Sequence, residues 1–297
     1  MSTAAPEALP VPRARTAERA KRRKQRNWNW LLWIAVAGIV IFCLFPFYWL
    51  VNTSLKTGPD LSSASLFPPN PTLENYKSIF QNSDFTKALR NSAIVALTTT
   101  VLALAVGSFC AYAIARLHFR GKAFLLGLIL SITTFPGIAI AAPLFKLWTD
   151  INIYNTLIGL IIPYLTFALP LAIYIMVSFF REIPRDLEEA ALVDGATHFQ
   201  AFRKVVLPLA APGLATAGIL TFIFAWNEFL WAITLTSSPA ARTVPAAIAF
   251  FTGSTQFEVP LGTISAASVT ISIPLILLVL FFQKRIVAGL TAGAVKG

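Results

Sequence analysis

Several of the side chains that could do chemistry in this sequence lie in one short segment, Glu188–Gly213, which reads EEAALVDGATHFQAFRKVVLPLAAPG. The segment is unusual because the chain as a whole is 56% hydrophobic and only 12% charged. The sequence contains no G-x-x-x-x-G-K-[ST], H-E-x-x-H or G-x-S-x-G motif, the patterns of a phosphate-binding loop, a zinc protease and a serine nucleophile. The two histidines, His118 and His198, do not have the spacing of metal ligands. We therefore expect neither catalytic residues nor a metal site.

The composition predicts an integral membrane protein, because soluble chains carry about a quarter charged residues. A helix needs about 20 apolar residues to cross about 30 Å of hydrocarbon. Six stretches are long enough: Trp30–Val51, Asn91–Ala115, Ala123–Phe145, Thr156–Phe180, Leu209–Leu235 and Ile264–Phe282. They predict an all-α, polytopic membrane protein with six transmembrane helices.

The placement of the basic residues predicts the orientation. The net charge of +11 would also be compatible with nucleic-acid binding. Most of the 24 lysines and arginines, however, lie before the first stretch, after the second, after the fourth and after the last. Because positive loops stay in the cytoplasm during insertion, we expect a multi-pass cell (plasma) membrane protein with both termini and the Glu188–Gly213 segment in the cytoplasm. The expected partner of these charges is the lipid bilayer and not nucleic acid.

The predicted parts of the chain follow from these stretches. They are, in order, a basic, disordered cytoplasmic arm (1–29), a six-helix transmembrane domain (30–288) with outside loops (52–90 and 236–263) and a cytoplasmic loop (181–208), and a cytoplasmic tail (289–297). Prolines interrupt several stretches, as in the FPG sequence at Phe135–Gly137. They indicate either ordinary packing kinks or bends that line or gate a path.

The Glu188–Gly213 segment predicts two short helices joined by a glycine turn. Pro184 suits the first position of the first helix, and Glu188 and Glu189 then lie near the positive end of its dipole. Gly195 can adopt the left-handed conformation that ends a helix.

The second short helix has its own start signal. Thr197 and Gln200 have the spacing of a capping box, and Pro208 is expected to close the helix. One apolar face is formed by residues at helical spacing, Phe199, Phe202 and Val206. A helix that lies on the bilayer surface would have a basic polar face. The first helix is acidic instead, which favours docking to a protein.

A longer motif runs through the same segment: Glu-Ala-Ala, then glycine, then an aliphatic residue and Leu-Pro, at Glu189, Ala190, Ala191, Gly195, Val205, Leu207 and Pro208. It resembles the EAA loop of the permease subunits of bacterial ABC importers, with valine where isoleucine is commoner. We call Glu188–Gly213 the EAA segment. Further similarity lies in SLK (54–56), PTLENY (71–76), WNEF (226–229) and GLTAGAVKG (289–297). Together these resemble the carbohydrate-uptake, MalG-like branch of the maltose type, and within it the second permease of actinobacterial trehalose importers.

The resemblance implies an ABC importer type I transmembrane domain whose EAA segment couples to a cytoplasmic ATPase dimer. The residues that it assigns to coupling are Glu189, Ala190, Ala191, Asp194, Gly195, Leu207 and Pro208. It implies that Glu189 pairs with a basic residue of the ATPase. It also implies a tail that reaches toward the ATPase, with Gly289, Gly293 and Lys296, although a frayed terminus is an equal alternative.

The other partners are also implied by the resemblance. They are a second, related permease subunit and an extracytoplasmic sugar-binding protein that delivers a disaccharide such as trehalose or another α-glucoside. This chain would bind no cofactor of its own, because ATP and Mg²⁺ are used by the ATPase. It would therefore be a transport subunit and not an enzyme.

Three residues of the fifth stretch are candidates for the sugar path: Trp226, Asn227 and Glu228. Glu228 is the one carboxylate within the six stretches, and an ionisable residue inside a membrane is a functional candidate by default. Tryptophan suits a sugar because its ring stacks on pyranose C–H groups. The alternatives are a hydrogen bond to a neighbouring helix for Glu228 and interfacial anchoring for most tryptophans.

Other classes of function stay open at this point. An ion-coupled secondary transporter usually has paired ionisable residues at mid-membrane and inverted repeats, whereas this chain has Glu228 alone and no visible repeat. An ABC permease for a solute other than a sugar is a second alternative. A membrane enzyme is a remote third, because no catalytic pairing is present.

Overall fold

The structure is a computed structural model that describes the backbone of residues 13–251 and 260–292 and the side chains of residues 30–251 and 260–283. Within these ranges the chain is helical and contains no strand. The helices are α1 (Arg13–Ser54), α2 (Glu74–Gln81), α3 (Ser83–Arg116), α4 (Lys122–Ser131), α5 (Gly137–Asp150), α6 (Leu157–Glu182), α7 (Arg185–Val193), α8 (His198–Ala201), α9 (Leu207–Leu209), α10 (Ala211–Asn227), α11 (Leu230–Leu235), α12 (Val244–Ile248) and α13 (Leu261–Ala292).

Three long helices, α3, α6 and α10, pack against one another and form the centre of the bundle. Small residues make close packing possible, as membrane helices require in the absence of a hydrophobic drive between them. A Cβ added to Gly107 of α3 would lie 3.4 Å from the Cβ of Ala172 of α6. Ala103 and Ala168, on the same two helices, are fully buried. The first helix packs on α13 at the periphery, and its spanning part is exposed.

The number of spans agrees with six only if bent helix pairs are counted. Four helices qualify alone by length and composition, and two more segments qualify as pairs bent by 85° and 75°. The interruption expected at the FPG sequence in Ala123–Phe145 is therefore a sharp bend and not a kink within one helix: α4 ends at Ser131, and α5 starts at Gly137, the last residue of FPG. The stretch Leu209–Leu235 is also broken: α10 is 17 residues long and ends at Asn227, before the short α11.

The prolines have different effects in different helices. Pro136 precedes α5 as its N-cap residue in an extended conformation, so the FPG sequence turns the chain sharply instead of kinking one helix. Pro46, Pro163 and Pro274 lie inside α1, α6 and α13, which continue through them. Ordinary tolerance of proline in membrane helices accounts for these three.

Four expected segments have different boundaries or contents in the structure. Helix α1 begins at Arg13, so residues 13–29 are helical and not disordered, while residues 1–12 lie outside the described residues. The expected loop 52–90 is shorter, because α1 extends to Ser54 and α3 begins at Ser83, and the expected loop 236–263 contains α12. The expected tail 289–297 begins inside α13, which reaches Ala292.

The loop between α1 and α3 is a folded surface. Asn75, in the PTLENY sequence, donates hydrogen bonds to the carbonyl oxygens of Ser54 (2.9 Å) and Lys56 (2.8 Å), in the SLK sequence. Tyr76 and Ser54 share a hydroxyl contact of 2.8 Å. The Lys56 ammonium is buried, donates to the carbonyl oxygens of Ser63 and Ser65, and lies 5.2 Å from the Trp49 ring centre. Two motifs that are separate in sequence thus form one structural unit.

Candidate functional site

The first half of the EAA segment is α7, which follows α6 after a sharp turn. Pro184 was expected to be the first helical residue but is the N-cap residue, and the extended conformation of Ile183 before it separates the two helices. Asp186 and Glu188 lie in the first turn, where the helix dipole favours carboxylates.

The predicted glycine turn is confirmed. Gly195 has φ +85°, and it closes α7 through hydrogen bonds from its own N–H to the carbonyl of Leu192 and from the Ala196 N–H to the carbonyl of Ala191, both 3.0 Å. A Cβ added at Gly195 would meet no atom within 4 Å, so the backbone conformation, and not a lack of space, selects glycine here.

The predicted capping box is also confirmed. The Gln200 N–H donates to Thr197 Oγ1 (3.2 Å), and the Thr197 N–H donates to Gln200 Oε1 (2.8 Å). The helix does not close at Pro208, however. It passes through a π-helical turn at Phe202–Val206 and then α9, and it bends only before α10. Because proline has no N–H to donate, the wider π turn directly before Pro208 accommodates it.

The coupling candidates lie mainly on the outer surface of this segment. Glu189, Ala190, Asp194, Gly195 and Pro208 are exposed, and Ala191 and Leu207 are half-buried. Two apolar residues that sequence reasoning missed belong to the same surface: Val193 is 86% exposed and Leu187 is 45% exposed. Exposed aliphatic residues beside small ones suit insertion into a cleft of another protein. The sequence signal that could have found them is the amphipathic pattern of α7, in which Leu192 is half-buried while Leu187 and Val193 are exposed.

The aromatic face of the second helix anchors the segment to the bundle. Phe202 and Val206 are buried in a cluster with Tyr112 of α3 and Phe180 of α6. The Phe202 ring centre lies 4.8 Å from that of Tyr112 and 5.2 Å from that of Phe109. Phe199 is more exposed than its spacing suggests, at 56%, but it stacks on Phe109.

A second contact between the EAA segment and α3 was not foreseen. Glu188 is buried, and its carboxylate accepts a hydrogen bond from the Tyr112 hydroxyl. Its Oε2 lies 3.5 Å from Arg116 Nε. Arg116 in turn donates from Nη2 to the carbonyl oxygen of Ile183, at 2.7 Å, where α6 ends. The two adjacent glutamates thus differ in burial: Glu188 is buried against α3, whereas Glu189 is exposed.

A cavity of about 240 Å³ lies between α7 and the end of α3. Both histidines line it, together with Glu188 and Glu189. Arg185 donates a hydrogen bond to His118 Nε2 at 3.2 Å. Among the described residues, no group of three potential ligands is arranged to hold a metal ion.

The three path candidates have different surroundings. Trp226 is buried, stacks on Phe222 with ring centres 5.5 Å apart, and donates to the carbonyl oxygen of Ile271 at 3.1 Å, which joins α10 to α13. Asn227 is exposed and donates to the carbonyl oxygen of Ile223 in its own helix. Of the three, Asn227 presents its side chain most openly.

Glu228 lies at the break between α10 and α11 and caps the second helix. Its carboxylate accepts hydrogen bonds from the backbone N–H groups of Trp231 (3.0 Å) and Ala232 (3.2 Å). Trp148, Trp226 and Trp231 are buried within the bundle, whereas Trp30 and Trp33 are exposed. The path role of Trp226, Asn227 and Glu228 stays a prediction. Of the tail candidates, Gly289 lies in α13, and Gly293 and Lys296 lie outside the described residues.

These features define a class of protein. The chain is a polytopic helical bundle in which a two-helix loop, rooted by aromatic and polar contacts, presents small, acidic and aliphatic residues outside the bundle. This is the architecture of a polytopic membrane protein with a firmly held, exposed loop.

Comparison with known proteins gives the family. Residues 103–291 match the model of the binding-protein-dependent transport system inner membrane component, and the chain belongs to this family. It is 53% identical to the trehalose transport system permease protein SugB of Mycobacterium tuberculosis, over 89% of this chain and 97% of that protein. It is 44% identical to the sulfoquinovosyl glycerol transport system permease protein SmoH of Agrobacterium fabrum, over 90% of this chain and 94% of that protein.

Solved structures confirm the fold. A bacterial ABC transporter involved in the import of the acidic polysaccharide alginate contains a chain that aligns with a TM-score of 0.72 and 22% identity, over 88% of this chain and 97% of that chain. The expected ABC importer transmembrane fold and the membership of the carbohydrate-uptake branch are therefore confirmed. The chain is a sugar-permease subunit of an ABC importer, located in the membrane.

Proposed function

We propose that this chain forms half of the transmembrane path for trehalose or a related α-glucoside. An extracytoplasmic binding protein delivers the sugar, a second, related permease forms the other half of the path, and a separate ATPase dimer drives the cycle. The relative of 53% identity, over almost its full length, is a trehalose permease, and this supports the choice of sugar. The relative of 44% identity transports a different glycoside, which makes sulfoquinovosyl glycerol the necessary comparison.

The sugar is tested on the cognate binding protein, because the permease receives what that protein selects. Calorimetric titration with trehalose, maltose, sucrose and sulfoquinovosyl glycerol should give the tightest binding for trehalose. Tighter binding of sulfoquinovosyl glycerol, or no binding of any α-glucoside, would contradict the proposed substrate.

The ATPase acts on the EAA segment, and the observation that carries this role is the outward position of Glu189. It is exposed, it adjoins the exposed Val193 surface, and the segment beneath it is fixed to α3 and α6. A carboxylate on such a surface suits a basic partner residue. The EAA segment and both termini then lie in the cytoplasm, as the distribution of lysine and arginine also favours. ATP and Mg²⁺ are handled by the ATPase, and this chain has no catalytic activity.

Exchange of the Glu189 charge tests the coupling role. Glu189→Lys should abolish uptake while the chain still reaches the membrane, because a lysine would face the basic partner residue with the same charge. The matched control is Glu182→Lys, which makes the same charge change at another exposed position of the same loop and should preserve uptake. Uptake by Glu189→Lys at the wild-type rate would remove Glu189 from the coupling surface.

A further inference from the structure

The EAA segment is joined to the bundle by one buried polar cluster, Tyr112, Arg116 and Glu188, which we call the Glu188 clamp. Glu188 is 8% exposed, and the side chains of Arg116 and Glu188 are 4% and 10% exposed. Charged residues are almost never this buried unless they are paired. Such a pair is weak evidence for stability, because desolvation offsets much of its attraction. A role in fixing one geometry is a better explanation of why the charges are there.

The contacts of the clamp meet at a junction of three elements. Glu188 belongs to α7, Tyr112 and Arg116 to the last two turns of α3, and the Ile183 carbonyl that accepts from Arg116 lies where α6 ends. The clamp therefore holds α7 to α3 and to the end of α6 at the same time. Helices α3 and α6 pack on each other along the bundle, so these three elements move together if the clamp is closed.

The clamp is specific in its geometry. One oxygen of the Glu188 carboxylate accepts from the Tyr112 hydroxyl, and the other faces Arg116 at 3.5 Å. Arg116 Nε makes no hydrogen bond, so its contact with Glu188 is a charge pair. Arg116 Nη2 donates to the carbonyl oxygen of Ile183. The Tyr112 ring is held between Phe180 and Phe202, at 6.4 and 4.8 Å between ring centres. The Glu188 carboxylate thus has one hydrogen-bond donor, Tyr112, and one charge partner, Arg116.

Glu188 is buried and Glu189 is exposed, and this difference suggests a division of roles. We propose that Glu188 is a positioning residue for energy coupling: through Tyr112 and Arg116 it makes α7 a rigid extension of α3, so that displacement of α7 by the ATPase displaces the bundle. This inference rests on the proposed coupling role of the EAA segment. Without the clamp, the contacts that hold α7 are the exposed hydrogen bond between Arg185 and His118 and the apolar packing of the second helix, and part of its movement is lost before it reaches α3.

The assay is the number of ATP molecules hydrolysed per trehalose molecule taken up. The assembled transporter, purified through a tag on this chain, is reconstituted in liposomes with its loaded binding protein. This ratio does not depend on how much folded complex each variant yields, so a loss of stability alone leaves it unchanged. Coupling between two sites is commonly worth a factor of about 5 or more. We expect the ratio to rise at least about fivefold in Glu188→Gln, which removes the charge.

Two further variants keep the test valid if a lone buried charge prevents folding. Tyr112→Phe removes only the hydroxyl and preserves the ring packing, and it should raise the ratio by a smaller factor. The double variant Arg116→Met, Glu188→Met removes both charges together, which buried pairs often tolerate. It should assemble and still show the raised ratio. Matched controls are Glu182→Gln and Tyr174→Phe, the same changes at exposed positions, which should leave the ratio unchanged.

The outcomes separate the clamp from the proposed function. If the wild type couples, Glu189→Lys stops uptake, and the three clamp variants have the wild-type ratio, the clamp inference is overturned and the function stands. If ATP does not drive uptake in the wild type, the proposed function itself fails. A raised ratio in the clamp variants, with unchanged controls, supports the positioning role of Glu188.

Discussion

Replacement of Asn91 should loosen the loop between α11 and α12, and the structure gives the size of the effect. Asn91 is fully buried in α3 and its Nδ2 donates to the carbonyl oxygens of Pro239 (3.2 Å), Ala240 (3.1 Å) and Arg242 (3.1 Å). An amide nitrogen has two hydrogens, so three acceptors share two donors. Each hydrogen bond contributes about 1 kcal/mol net.

Asn91→Ala should therefore destabilise the protein by about 2 kcal/mol, since two bonds are lost at about 1 kcal/mol each. The Asn91 Oδ1 atom is buried without a hydrogen-bond partner, and its removal offsets part of the cost of leaving the carbonyl groups unpaired. For a chain of this size, about 2 kcal/mol lowers the midpoint of thermal unfolding by roughly 4–8 °C. Heating the detergent-purified protein and measuring the folded fraction by size-exclusion chromatography gives this midpoint.

Asn91→Asp makes the test sharper, because it keeps the shape and removes the donors. Its carboxylate would face three carbonyl oxygens in a buried place, so it should be less stable than Asn91→Ala. Asn70 is the matched control: it is exposed, and Asn70→Ala and Asn70→Asp should each change stability by less than about 0.5 kcal/mol. An Asp variant at least as stable as the Ala variant would refute the assignment of Asn91 as a donor to the loop.

Three other predictions concern packing, capping and orientation. Gly213→Ala should destabilise the protein by about 1–3 kcal/mol, because the new Cβ would lie 2.3 Å from Cγ of Phe179. Gly127→Ala is the control and should not destabilise it, because no atom lies within 4 Å of the new Cβ. The midpoints of thermal unfolding distinguish the two variants. Glu228→Ala should lower the stability by about 1 kcal/mol, because α11 loses its N-terminal cap. Glu228→Gln should lower it less, because its side chain keeps an acceptor. Equal midpoints of thermal unfolding for the two variants would argue against capping. Val193→Cys should react with a membrane-impermeant maleimide in inside-out vesicles and not in intact cells, and the reverse result would contradict the orientation.

Local signals in the sequence were sufficient for the turn, the cap and the buried face of the EAA segment, but not for Leu187 and Val193 on its outer surface. Gly195 and the Thr197–Gln200 capping box were predictable because each depends on residues within a few positions of one another. The burial of Phe202 and Val206 followed from helical spacing in the same way. Pro208 was misjudged because the preceding π turn depends on how the helix packs and not on its own residues.

Contacts between distant residues were not predictable. Glu188 meets Tyr112, which is 76 residues away, and nothing in the sequence distinguishes Glu188 from Glu189 as the buried one. The FPG sequence marked the interruption of Ala123–Phe145, but the size of that bend and the break in Leu209–Leu235 were not predictable, because hydropathy is the same for a straight helix and a bent pair. The burial of Trp148, Trp226 and Trp231 was missed because tryptophan suits both a membrane interface and a packed core.

The most direct test of the account is to ask what drives uptake. The assembled transporter is reconstituted in liposomes with the loaded binding protein outside and with ATP or a proton gradient as the energy source. We predict that labelled trehalose accumulates with ATP, that a protonophore does not slow it, and that Glu189→Lys abolishes it. Accumulation driven by the proton gradient in the absence of ATP, or ATP-driven uptake that is unaffected in Glu189→Lys, would contradict the account.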